Sequence, residues 1–213
     1  WSDDPLGDML KAGAHAETAV RLDPELAEAY LILCYNALMA RDFDLAEQHA
    51  QRALSLNPCS GHCWLGTGLV NLYRGRHEQA AADFERVERL NPNDPVRWLF
   101  RIAAALAAMM EGKYPEAMQH AAIARTQPQG RQPGDLITCA ALIAQDREAD
   151  ARRIIDRSGV ERVLKGWPIV LSRLPFEEPG CLDFLVDLVA FVLPEIKTVY
   201  RREQVVTPKE THA

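Results

Sequence analysis

The chain has 213 residues, of which 48% are hydrophobic and only 7% aromatic, so it can bury a substantial interior made mainly of small and aliphatic side chains. A formal net charge of −6 excludes the clustered Lys and Arg footprint that nucleic-acid binding requires. Five cysteines, an odd number scattered from Cys34 to Cys181, do not read as a disulfide framework and predict reduced thiols in a cytoplasmic setting.

One phrase repeats along the chain. "AVRLDP" closes at Pro24, "ALSLNP" at Pro58 and "VERLNP" at Pro92, each 34 residues after the last, and Tyr30, Trp64 and Trp98 keep the same interval. A self-similar period of this length predicts a helical repeat array. Such arrays present surfaces to partners and seldom carry chemistry. Ala-rich runs such as "RIAAALAAMM" agree, since alanine has the best helix propensity and lets helices approach closely.

Within residues 27–60, Tyr30, Leu33, Cys34, Ala37 and Leu38 follow helical spacing. "RDFD" interrupts them, with Asp42 and Asp44 able to cap a second helix whose face is Ala46, Ala50, Ala53 and Leu54. Asn57-Pro58 ends it, because proline disfavours helical geometry in the residue before it. Residues 61–94 respell the same unit: Trp64, Gly68 and Leu72, a turn at Gly75, then Ala80, Phe84 and Val87. Residues 95–128 begin with Trp98, turn at Gly112 and run through Ala117, Ala121 and Ala124 to Pro128. Trp64 to Gly75 is 11 residues and Trp98 to Gly112 is 14, so the first helix of this unit is expected to be longer and to slip by slightly less than one turn.

These units resemble the tetratricopeptide repeat (TPR): a large residue, Leu-Gly, then a second helix of small residue, aromatic and Ala, closed by Pro. Tyr30, Leu33, Ala46, Ala53 and Pro58 carry the likeness in one unit, and Trp64, Gly68, Ala80, Phe84 and Pro92 in the next. Cys34 stands where the family has glycine, Thr67 where it has leucine and Asn71 where it has tyrosine. Ala12, Ala16, Ala19 and Pro24 match only a second helix, so residues 1–26 read as half a repeat. With Trp1 rather than methionine first, the chain reads as a piece of something longer. The resemblance implies an all-α fold: a right-handed superhelix of antiparallel helix pairs, a TPR-like α-solenoid, with a C-terminal helical extension.

After residue 128 the pattern fades. "QPQGRQPG" (127–134) reads as a loop, and residues 129–159 as a degenerate fifth helix pair turning at Asp146. Trp167-Pro168 is expected to break the extension and tail of residues 160–213. Its apolar run 182–193 is too short to span a bilayer and holds Asp183 and Asp187. Pro175-Phe176, Pro179, Leu188 and Leu193-Pro194 make this stretch similar to the closing segment of bacterial signalling proteins that carry a winged-helix regulatory or adenylate cyclase domain ahead of such repeats.

By the family's pattern, Leu31, Tyr35, Leu38, Leu65, Leu69, Tyr73, Leu99 and Ala103 would line a partner-binding groove. A carboxylate clamp needs Lys and Asn there, and Leu31, Tyr35, Gly66, Val96 and Phe100 occupy those places instead. An apolar groove calls for a cover: the chain's own C-terminal helix, a second copy, or another protein's amphipathic helix or peptide. Leu65 and Leu99 can equally pack between neighbouring helices.

"CSGHC" (59–63) lacks the four ligands zinc wants, and "GTGLVN" (66–71) lacks the strand and final glycine of a dinucleotide fingerprint. The six histidines form no triad by spacing, Cys34 and Cys139 read as small core residues, and Glu177-Glu178 as a solvated loop. No cofactor, metal or catalytic residue is expected. The sequence predicts a non-catalytic protein–protein interaction module, the regulatory or oligomerisation part of a larger bacterial protein, without nucleic-acid or membrane partners. The alternatives are a structural dimerisation arm, a small-ligand sensor or a helical hydrolase.

Overall fold

The computed structural model describes residues 5–172, 174–178 and 180–206, and among them regular structure is entirely α-helical. The chain divides into two units. The first comprises residues up to Pro95 together with Pro175–Glu177; the second comprises Val96–Leu174 and the residues from Glu178 on. In the first lie α1 (Pro5–Leu22), α2 (Ala27–Met39), α3 (Phe43–Leu56), α4 (Gly61–Tyr73) and α5 (His77–Leu90). The second holds α6 (Arg97–Met110), α7 (Tyr114–Ala124), α8 (Pro128–Ile143), α9 (Glu148–Ser158), α10 (Val160–Ser172), α11 (Gly180–Ala190) and α12 (Glu195–Val206). No described helix is long and apolar enough to cross a membrane. Pro179 and residues 207–213 of the expected extension lie outside the described residues.

One backbone device makes the pairs α2/α3, α4/α5, α6/α7 and α8/α9. Each first helix ends on a residue of positive φ: Arg41 (61°), Gly75 (76°), Gly112 (71°) and Asp146 (59°). At the first turn Asp42 N–H donates to the Ala37 carbonyl at 2.9 Å and Arg41 N–H to that of Leu38 at 3.0 Å. The same two bonds recur from Arg76 and Gly75, from Lys113 and Gly112, and from Arg147 and Asp146. They satisfy carbonyls that a helix end leaves orphaned, and they reverse the chain within a few residues. Asp42 adds the sequence-expected cap, its carboxylate accepting from Leu45 N–H at 3.1 Å.

Counted from these turns, the side chains repeat. Seven residues before each stand Cys34, Gly68, Ala105 and Cys139, all buried; five after stand Ala46, Ala80, Ala117 and Ala151, all at 0% exposure. Small residues on both faces let the paired helices close on each other. Where glycine leaves extra room, a larger partner fills it: a Cβ on Gly68 would lie 2.6 Å from the Phe84 ring. Asn71, which replaces a customary tyrosine, donates to Asp83 Oδ2 at 2.7 Å and ties α4 to α5.

The turn residues are 34, 37 and 34 apart, so the three additional residues belong to the third repeat. Their placement differs from expectation. α6 has 14 residues against 13 in α2 and α4, and the rest lengthens the connector before it, 91–96 against 57–60. Trp98 therefore keeps step in sequence but not in structure. Tyr30 and Trp64 each donate to the carbonyl of the preceding proline, Pro24 at 3.3 Å and Pro58 at 2.9 Å, under the guanidinium of Arg52 or Arg86. In α6 the residue at the same distance from the turn is Arg101, which meets His120 Nδ1 at 3.0 Å.

Two further expectations are corrected. Residues 128–134 are the start of α8, not a loop. Pro128 sits in the first turn, where its missing N–H loses nothing, and Gly130 presses against the Ala124 carbonyl and the Trp98 side chain, where no Cβ would fit. Nor does Trp167-Pro168 end α10, which carries Pro168 inside it and runs to Ser172.

An added Cβ at Gly75 or Gly112 would meet no atom within 4 Å, so the glycines there answer only to backbone conformation. Gly112→Val should lower unfolding free energy by about 1–2 kcal/mol, and Asp146→Gly should raise it by roughly 0.5 kcal/mol. Denaturant midpoints moving in these opposite directions are the expected result.

Candidate docking site

In the first unit, residues ten and six before the turns are Leu31 and Tyr35 on α2, and Leu65 and Leu69 on α4. Leu31, Leu38, Leu65 and Leu69 are buried, and Leu31 owes this to α4, since a Cβ on Gly66 would lie 2.6 Å from its Cδ1. Tyr35 and Tyr73 are half-buried. Burial pushes both phenols well above the ordinary tyrosine range, for Tyr35 with help from the nearby Cys34, Cys63 and Asp94. Of the groove positions expected in the second unit, Leu99 is half-buried and Ala103 buried. The residues in phase with Leu65 and Leu69, counted from Gly112, are Ile102 and Leu106, both buried.

The C-terminal ends of α2 and α4 hold a non-helical piece of the same polypeptide. The Phe176 ring stands edge-on to Tyr73, with centroids 5.2 Å apart and planes at 89°, and Phe176 is wholly buried. Glu177 N–H donates to the Tyr73 carbonyl at 2.8 Å, and the Arg41 guanidinium donates to the Phe176 carbonyl. Arg74 Nε approaches the Glu177 carboxylate at 3.5 Å. Arg74 is itself positioned by Asp44 at 2.8 Å and Glu47 at 2.9 Å, and Glu47 also takes Arg76 at 2.9 Å. The aromatic supplies apolar contact and a favoured edge geometry, while the backbone bond orients the segment.

Sequence reasoning placed Tyr73 near this site but missed Arg41 and Phe176, and it took Glu177 for a solvated residue. Arg41 gave no glycine signal for its turn. Phe176 lies 103 positions beyond Tyr73, a separation no local period spans. The burial of Leu69 also makes a charge there a packing lesion rather than a probe of docking.

The remaining sequence features resolve into structure. Ser60 Oγ caps α4 by accepting from Cys63 N–H, and His62 Nε2 lies 2.8 Å from the buried Asp94 carboxylate. Cys59 is exposed and Cys63 buried, and among the described residues no group of three or more His, Cys, Asp or Glu is placed to hold a metal ion. Burial pushes the Cys34 and Cys139 thiols up to about 12.

No family model matches the chain. Over 78 residues, 37% of its length, it is 30% identical to anaphase-promoting complex subunit 3 of Schizosaccharomyces pombe, covering 12% of that protein. An alignment of the same length and identity relates it to the cell division cycle protein 27 homolog of Caenorhabditis elegans, covering 10% of that protein. The chain thus spans about a tenth of the length of these curated relatives. Among solved structures, Pseudomonas aeruginosa pilF superimposes with a TM-score of 0.64 at 16% identity, covering 94% of this chain and 91% of that one. The fold is that of a TPR-like helical repeat protein.

Two titrations follow from the burial pattern. Folded-state phenols held above the unfolded value near 10 contribute stability that is complete below about pH 10 and lost as pH rises further. Tyr35 and Tyr73 should therefore ionise, by absorbance near ~295 nm, only together with alkaline loss of helical circular dichroism. A chromogenic disulfide reagent should modify Cys59 in the native protein, and Cys34 and Cys139 only after unfolding.

Proposed function

We propose that this chain is a non-catalytic protein-association module, the regulatory or oligomerisation part of a larger bacterial signalling or transcription-regulatory protein acting in the cytoplasm. The observation that carries this reading is the non-helical segment Pro175–Glu177 held on the first unit by an aromatic edge, a main-chain hydrogen bond and two guanidinium contacts. These are the means by which a folded surface grips another stretch of protein. One relative is named as a subunit of a complex, which agrees with an assembly role. The bacterial context rests on the likeness of residues 175–194 to the closing segment of such regulators, and the cytoplasmic setting on five unpaired cysteines.

Of the eight groove positions, Tyr35 and Tyr73 meet the partner on the first unit in this reading, where Leu31, Leu38, Leu65 and Leu69 are buried. On the second unit Leu99 is the half-buried position and Ala103 the buried one. The partner is a peptide or amphipathic helix of another protein, or a second copy of this chain. Glu28, Arg74 and Arg76 at the rim set orientation and encounter rate more than affinity.

The test compares the wild-type chain with Tyr35→Asp as baits in chemical cross-linking with mass-spectrometric identification. Proteins joined to the wild type and lost from a variant of unchanged helicity support the reading. If the two baits retain the same proteins, Tyr35 does not dock a partner. A mass by light scattering that rises with concentration, with no foreign protein retained, would mark a dimerisation arm instead.

A further inference from the structure

We infer that Pro175-Phe176-Glu177 is an internal ligand, and that the ends of α2 and α4 form a recognition site for extended peptides carrying an aromatic residue followed directly by an acidic one. This deepens the proposed function and rests on it. The site is complete without its occupant: the turns at Arg41 and Gly75 close on their own backbone bonds, and Arg74 is already held by Asp44 and Glu47. Those two pairs are shorter, at 2.8 and 2.9 Å, than the 3.5 Å to Glu177, whose side chain is 43% exposed. The Glu177 carboxylate adds a modest, solvent-screened preference for an acidic residue at this position.

The hold on the segment is concentrated in one place. Phe176 has no exposed surface and sits against Tyr73, in the manner of an aromatic anchor, which carries most of the energy of a small interface. The remaining bonds engage main-chain atoms: the Tyr73 carbonyl takes Glu177 N–H, and Arg41 reaches the Phe176 carbonyl. Main-chain bonds accept any sequence in an extended conformation, so selectivity comes from the aromatic pocket and from the basic side chain beside the next residue. Residues 174–176 form no regular structure, and Pro175 restricts the chain just ahead of the anchor. A tethered ligand of this kind occupies its site at high effective concentration and holds it against weak competitors. A foreign segment of the same chemistry with additional contacts displaces it.

The test uses the full 213-residue chain and a fluorescein-labelled, end-blocked peptide copying residues 174–179, LPFEEP, read by anisotropy. Against the wild type, Phe176→Ala should bind this peptide about tenfold more tightly, as expected when one aromatic anchor is withdrawn. Adding Tyr73→Ala to that variant should abolish the gain, and LPAEEP should not bind. Glu177→Lys, a partly exposed change that leaves the anchor in place, should tighten peptide binding about threefold. It carries the test if circular dichroism finds Phe176→Ala unfolded. Folded variants that bind LPFEEP no better than the wild type, or that are indifferent to Tyr73→Ala, overturn the inference. Such a failure is separate from that of the broader reading, which the Tyr35→Asp comparison decides.

Discussion

Everything in this structure hangs on a turn that closes a helix with two backbone bonds through one residue of positive φ. The bonds satisfy carbonyls that would otherwise need water, and they return the chain antiparallel to itself with almost no loop. Once the return is that tight, the facing side chains have little room. A small residue seven positions before the turn and alanine five positions after it are the packing solution, used four times. Hydrophobic burial supplies the driving force, but the turn decides which side chains meet.

That hierarchy explains what could be read from the residues alone. The helix pairs between 27 and 125 were legible because Gly75, Gly112 and Asn57-Pro58 punctuate them and the alanines keep a 3.6-residue beat. Arg41 performs the same turn without glycine, so no local signal marked its conformation, whereas the break between two helical runs places the turn at Asp146. The glycines and prolines of 127–134 suggested a loop, yet they serve a helix start and a close approach to the Ala124 carbonyl. Punctuation residues report geometry, and more than one geometry uses them.

The docking site shows a different limit. Its helical half was within reach of pattern reading, since Tyr73 and Arg74 close the first helix of a repeat. Its other half arrives from Phe176 and Glu177, and such a pairing depends on three-dimensional proximity that no period encodes. The eight positions expected to line a groove divided for a related reason. A spacing of 34 placed Leu99 and Ala103, whereas the turn at Gly112 puts Ile102 and Leu106 in phase with Leu65 and Leu69. The charges gathered around Arg74 also show why counting ion pairs misleads here: three carboxylates share one guanidinium, and the nearest of them, Asp44, is itself 82% exposed.

The interval of 37 residues between Gly75 and Gly112 bears on how such a chain can be rearranged by gene duplication or by an engineer. The recurring prolines are the natural seams, since a block cut from one to the next carries a first helix together with the second helix that packs on it. Splicing from turn to turn would instead part facing residues such as Gly68 and Phe84, which lie on either side of Gly75. The elongated connector then travels with the third repeat, whose register it sets.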